Sequence, residues 1–159
     1  MATTIWVVDD EEAVRDALES MIKELGYQVR TFSSAEDVLL AYKQEDASPD
    51  VVITDVRMPG MSGMDLTRAI LQLDPHSIVI ILTAYPSIPN AVESIRAGAA
   101  DFLSKPCRIE EMRIRLEHAL ESRDLQTRLR KTRTIAWSLI GSLPIWFILG
   151  IILAKILQP

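Results

Sequence analysis

Four short apolar runs in this sequence each stop at a side chain that can do chemistry. Ile5-Trp6-Val7-Val8 leads into Asp9-Asp10, and Val51-Val52-Ile53-Thr54 leads into Asp55. Ile78 to Leu82 is followed by Thr83, and Phe102-Leu103-Ser104 by Lys105-Pro106. A lone Asp after such a run says little. The Asp9-Asp10 pair, taken by itself, would equally suit a solvated helix N-terminus favoured by the macrodipole. Three carboxylates brought to one place are different, because they repel one another unless a cation neutralises them. Carboxylate, backbone and water oxygens suit Mg²⁺, which keeps several waters and accepts phosphate oxygens. Lys105 would add a mobile positive charge and Thr83 a hydroxyl donor. The set matches a phosphoryl group carried on a carboxylate. That transfer works by positioning and by neutralising charge on the equatorial oxygens. An Asp carboxylate can accept the group, forming an acyl phosphate that water later cleaves.

For these residues to meet, the runs must lie side by side, and the spacing provides for that. Ile5–Val8, Val29–Phe32, Val51–Thr54, Ile78–Leu82 and Phe102–Ser104 read as strands, being short, apolar and largely β-branched or aromatic. The run at Ile78–Leu82 is the most hydrophobic, as in a strand covered on both faces. Between them come segments of helical period. Val14, Ala17, Leu18, Met21, Ile22 and Leu25 form the first, with Gly26 as C-cap. Ser33 with Glu36 reads as a capping box for a second helix, running to about Tyr42. Leu66, Ala69, Ile70 and Leu73 mark a third, stopped by Pro75. Ala91, Val92 and Ile95 mark a fourth, closed by Gly98, and Ile109, Met112, Leu116, Ala119 and Leu120 begin a fifth. Five strands alternating with five helices imply an α/β fold, a doubly wound five-stranded parallel sheet with helices on both faces. In such sheets a site forms beyond the carboxyl ends of the strands, at the switch in strand order.

The segments IWVVDDEE (5–12), VVITDVRMPGMSGMDL (51–66), IILTAY (80–85) and AGAADFLSKP (97–106) resemble the receiver domain of bacterial two-component response regulators, over residues 4 to about 120. The resemblance implies a flavodoxin-like fold in which Asp55 accepts phosphate from the phosphohistidine of a sensor histidine kinase or a phosphotransfer protein. It also implies that Asp10, with Asp9 acting through water, binds Mg²⁺ together with Asp55 and the main-chain carbonyl of Arg57. Lys105 would pair with the phosphoryl oxygens, Thr83 would move toward them, and Phe102 would follow by turning inward. Tyr or Phe is common at position 102, so Phe102 departs only in lacking a hydroxyl, and plain core packing is its other reading. Pro59 and Gly60 fit the loop after the acceptor, and Gly63 lies just beyond it. Arg57 and Tyr85 stand where the family tunes the lifetime of the phosphate. The protein would then be a phosphoacceptor and not an enzyme, beyond Mg²⁺-dependent self-phosphorylation from small donors and autodephosphorylation. Haloacid-dehalogenase-type phosphatases also use an Asp after a parallel strand, with a second Asp two residues on as general acid. Here that position is Arg57, which cannot shuttle protons at neutral pH.

Charge is unevenly distributed along the 159 residues. Met1–Cys107 carries 8 basic and 17 acidic residues, Arg108–Arg133 carries 8 basic and 5 acidic, and beyond that only Lys155 is charged. The acidic head argues against a nucleic-acid partner, since phosphate backbones demand clustered Lys and Arg. No helix-turn-helix or zinc-finger spacing follows it. Cys107, the single cysteine, excludes an internal disulfide, fits a reducing compartment, and reads as a small filler beside Pro106. No signal peptide is visible.

From Ile135 to Ala154 twenty residues carry no charge. As a helix they would span ~30 Å, the thickness of a bilayer's hydrocarbon core. Apolar residues lie all round, Trp137 stands near one end, Lys155 can snorkel at the other, and Pro144 would kink the middle. The expected organisation is a receiver at 1–120, a charged helical linker at 121–133 and one transmembrane helix at 134–157, with residues 135–157 in lipid. Arg128, Arg130, Lys131 and Arg133 flank its N-terminal side, so the positive-inside rule places the head in the cytoplasm, single-pass in a bacterial cytoplasmic membrane. Ser138 and Ser142 offer one small-residue face on which a homodimer could pair. Family members commonly carry a DNA-binding or enzymatic output domain, and none is read here. Two roles are left open: a membrane-tethered phosphotransfer element or sink, and a membrane adaptor or oligomerisation module controlled by phosphorylation.

Overall fold

The computed structural model describes residues 3–44 and 48–123. Its elements are β1 (Thr4–Val8), α1 (Glu12–Glu24), β2 (Gln28–Phe32), α2 (Ala35–Gln44), β3 (Val51–Asp55), α3 (Gly63–Leu73), β4 (Ile78–Thr83), α4 (Ile88–Ala97) and β5 (Asp101–Ser104). A last helix, α5, runs from residue 109 through 123. The chain divides into two compact units, Met1–Glu121 and Ser122–Pro159, and the sheet belongs to the first. The rest of the expected linker and the whole expected span at 134–157 lie outside the described residues. Among the described residues no helix is long and apolar enough to cross a membrane.

The strands form one sheet in the order β2-β1-β3-β4-β5, and every pairing is parallel. This is the doubly wound sheet that the alternating pattern implies. Its switch in strand order falls between β1 and β3, the two strands that end in Asp9 and Asp55. Side-chain alternation sorts the core onto two faces. Ile5, Val7, Ile53, Ile80 and Leu82 point to one side, where Leu18 and Ile22 of α1 and Met112 and Leu116 of α5 cover them. Trp6, Val8, Val52 and Val79 point to the other, under Val38 of α2 and Leu66 and Ile70 of α3. Ile81 shares that side with Met64 and Ala97. All six residues of β4 are buried, as expected for a central strand.

One local expectation needs correction. The cap of α2 is Ser34, not Ser33. Its Oγ accepts from the Asp37 N–H at 3.2 Å and donates to Asp37 Oδ2 at 2.7 Å. Glu36 is thereby free to turn away from its own helix, and its Oε1 accepts the Met61 N–H at 3.1 Å. The helices marked at Leu66–Leu73 and Ala91–Ile95 are present, though not every apolar residue that marks them is buried. Leu73 on α3 and Val92 and Ile95 on α4 are 51%, 42% and 66% exposed. Small residues, Ser94 and Ala97, make the buried contact of α4 instead, so its larger apolar side chains face outward.

Candidate functional site

The parallel register delivers the carboxyl ends of β1, β3, β4 and β5 to one edge. Asp55 is the last residue of β3 and lies opposite Leu82, and Thr83 ends β4 opposite Ser104. The Lys105 N–H donates to the Thr83 carbonyl at 2.7 Å, which extends the β4–β5 ladder by one residue and fixes where the lysine side chain starts. The Lys105–Pro106 peptide is cis.

Lys105 Nζ lies 2.5 Å from Asp9 Oδ2 and 2.6 Å from Asp55 Oδ1. Asp9 and Asp55 are 1% and 7% exposed, so two carboxylates withdrawn from water share one ammonium. Burial by itself would lower the pKa of Lys105. The hydrogen bonds and charges of Asp55 and Asp9 outweigh it, and the net direction is upward from the ordinary value of 10.5. Each carboxylate is also held by a backbone N–H. Asp9 Oδ1 accepts from Glu11 at 3.0 Å and Asp55 Oδ2 from Arg57 at 2.6 Å. The buried Thr83 hydroxyl accepts from the Tyr85 N–H at 3.2 Å.

Asp9, Asp55 and Lys105 are thus in direct contact, and Thr83 is tied to them through the Lys105 backbone. Asp10 sits next to Asp9 but is exposed. Among the described residues no three His, Cys, Asp or Glu side chains group closely enough to hold a metal by themselves. Mg²⁺ does not require such a cage, because it is held through one or two carboxylates with waters and phosphate oxygens completing its shell. Two buried carboxylates converging on one cation, with Asp10 at the solvent side, fit that demand.

The exposed Arg57 guanidinium carbon stands 5.0 Å from the centroid of the Tyr85 ring, a cation–π contact joining the loops after β3 and β4. Phe102 is half-buried and packs beside Ile81, Met64 and Val56. Cys107 is half-buried, lines an apolar groove of about 430 Å³ with Val14, Leu18 and Met21, and burial pushes its thiol pKa up. Two supports of the acceptor loop were not assigned from sequence. One is Glu36, read there as a capping partner. The other is the close seat of Gly63, where an added Cβ would lie 1.9 Å from the Asp55 carbonyl oxygen.

Residues 5–117 match the family described as the response regulator receiver domain. Among curated proteins, the chain is 35% identical over 144 residues to the C4-dicarboxylate transport transcriptional regulatory protein DctD of Rhizobium meliloti, covering 91% of this chain and 31% of that protein. It is 40% identical over 116 residues to the DNA-binding transcriptional regulator NtrC of Proteus hauseri, covering 73% of this chain and 24% of that one. It therefore spans less than a third of the length of either relative. Among solved structures, a response regulator receiver domain protein from Clostridium thermocellum is similar with a TM-score of 0.73 at 35% identity, covering 78% of this chain and 98% of that one.

Proposed function

The chain belongs to the response regulator receiver domain family, a phosphoacceptor module of two-component signalling, and from that premise we propose that it is a membrane-anchored receiver taking a phosphoryl group on Asp55 and acting as a phosphotransfer element or sink. The observation that carries the acceptor assignment is Lys105, whose ammonium binds Asp55 and Asp9 together at the strand ends. The donor would be the phosphohistidine of a sensor histidine kinase or phosphotransfer protein. An Asp55 carboxylate oxygen bonds to phosphorus as the bond from phosphorus to the histidine nitrogen breaks, and that nitrogen keeps the electron pair. Asp10, Asp9, Asp55 and the Arg57 carbonyl would hold Mg²⁺, which supplies neutralisation of the phosphoryl oxygens. Lys105 then exchanges a carboxylate partner for a phosphoryl oxygen, and the Thr83 hydroxyl donates to another. No further catalytic group is proposed, so the protein turns over only its own phosphate.

NtrC is by name a DNA-binding regulator, but the region matched covers 24% of it. The acidic charge of Met1–Cys107 supports a protein partner for this part of the chain and not a nucleic acid. Anchoring through residues 135–157 is supported by the uncharged run and its basic flank. Tethering would raise the local concentration of the receiver near a membrane-bound kinase.

A second reading, a phosphorylation-controlled adaptor, is favoured by one feature. Ile88, Val92 and Ile95 form an exposed apolar stripe on α4, available to a partner or a second copy. Phosphate lifetime separates the two. The full chain is phosphorylated, freed of donor, and its phosphate followed by mass. A sink loses phosphate faster than a free acyl phosphate hydrolyses, whereas an adaptor keeps it and changes its oligomeric state. Arg57→Ala and Tyr85→Ala should each alter the rate of loss, because their contact ties the loop that follows the acceptor to the loop after β4. Unchanged rates in both would remove them from the site.

A further inference from the structure

From the end of β1 into the first residue of α1 run four consecutive acids, Asp9 to Glu12, with Asp16 one turn on, and the one cation among residues 9–16 is Arg15. A helix start needs partners for its free N–H groups, yet the N-cap residue Glu11 makes no side-chain capping bond. The turn is held by other means. Asp9 Oδ1 takes the Glu11 N–H, and the Arg15 side chain reaches back over the helix start. Its Nη1 donates to the carbonyl of Asp9 at 2.7 Å and to that of Asp10 at 3.0 Å. One guanidinium nitrogen therefore joins two successive peptide units, and the Asp10 side chain branches from the residue between them. The next backbone tie upstream, Asp9 N–H to the Phe32 carbonyl, is long at 3.3 Å.

We propose that Arg15 is a positioning residue for the cation site: by holding the Asp9 and Asp10 carbonyls it aims the two carboxylates that join Asp55 in binding Mg²⁺. This rests on the Mg²⁺-dependent reading of the site given above. The guanidinium acts in two ways, and they separate chemically. Its charge offsets repulsion among Asp9, Asp10 and their neighbours, a service lysine also supplies. Its rigid planar group brings one nitrogen to both carbonyls, a placement that lysine's strongly hydrated ammonium, on a shorter and more flexible stem, does not reproduce. Partners of this kind set the direction of metal ligands, and their loss weakens metal binding without removing a ligand.

The test is calorimetric titration of MgCl₂ into the full chain in detergent, without phosphodonor, for the wild type, Arg15→Met and Arg15→Lys. Thermal midpoints are measured in EDTA alongside. Arg15→Met should bind Mg²⁺ about tenfold more weakly, the lower end of the range for such partners. Arg15→Lys should recover part of that loss and remain measurably weaker than the wild type. A purely structural role would lower the midpoint and leave Mg²⁺ affinity unchanged, and that result overturns the proposal. Wild-type affinity in Arg15→Lys overturns it too, since charge alone would then suffice, and this variant decides if Arg15→Met does not fold. If the wild type itself takes up no Mg²⁺, the underlying reading of the site fails and the inference falls with it.

Discussion

The Lys105 ammonium sits between two carboxylates that would otherwise face each other with little water between them. Its folded-state pKa is raised, so its contribution to stability is fully present below the unfolded value of 10.5 and is lost as pH rises through the folded value. At neutral pH the contribution is therefore complete. Removing one partner of a fully buried ion pair costs about 3–5 kcal/mol. Lys105 keeps 14% exposure of its side chain, which lets water screen part of that loss. Lys105→Met should accordingly lose about 1–3 kcal/mol in urea denaturation with EDTA, less than a fully buried pair. Added Mg²⁺ should restore more stability to this variant than to the wild type, because the cation would replace the missing charge. The contributors Asp9, Asp55, Thr83 and Lys105 were legible in the sequence because each stands immediately after an apolar run. The contact between Arg57 and Tyr85 was not, since nothing in the spacing of two separate loops fixes a guanidinium over a ring.

The elements explain why the acceptor loop has little freedom. Gly63 opens α3 against the end of β3, with its N–H donating to the Val56 carbonyl at 3.1 Å. An added Cβ there would lie 1.9 Å from the Asp55 carbonyl oxygen and 3.0 Å from Thr54 Oγ1. The obstacle is backbone, which cannot rotate away as a side chain would. Gly63→Ala should therefore destabilise the fold by about 2–3 kcal/mol, as overpacking does, and should slow phosphorylation by displacing the loop. Chemical denaturation and the phosphorylation rate check the two parts separately. At this scale the strands were readable to within a residue, because the short apolar runs of β1, β3 and β4, buried on both faces, leave few alternatives. The α2 cap was misread for a definite reason. Ser33-Glu36 and Ser34-Asp37 both satisfy the pattern of a hydroxyl followed three residues on by an acid. With the strand ending at Phe32 in either case, what decides between them is that α2 starts at Ala35, which sets Ser34 and not Ser33 at its N-cap. The outward-facing Ile88, Val92 and Ile95 show the same limit, since helical period marks an apolar face without saying whether anything covers it.

For the whole molecule, the receiver fold accounts for residues through α5, and the apolar run beyond is argued from sequence alone. Alkaline carbonate extraction of bacterial membranes tests the anchor. The full chain should remain in the pellet and a version ending at residue 133 should be released, whereas extraction of the full chain would place that run within protein. The acceptor assignment is independent of that result and has its own measurement. The full chain, incubated with Mg²⁺ and a small acyl-phosphate donor, should gain the mass of one phosphoryl group, and Asp55→Asn should gain none. No gain in the wild type, or a gain that survives Asp55→Asn, would contradict the account at its centre.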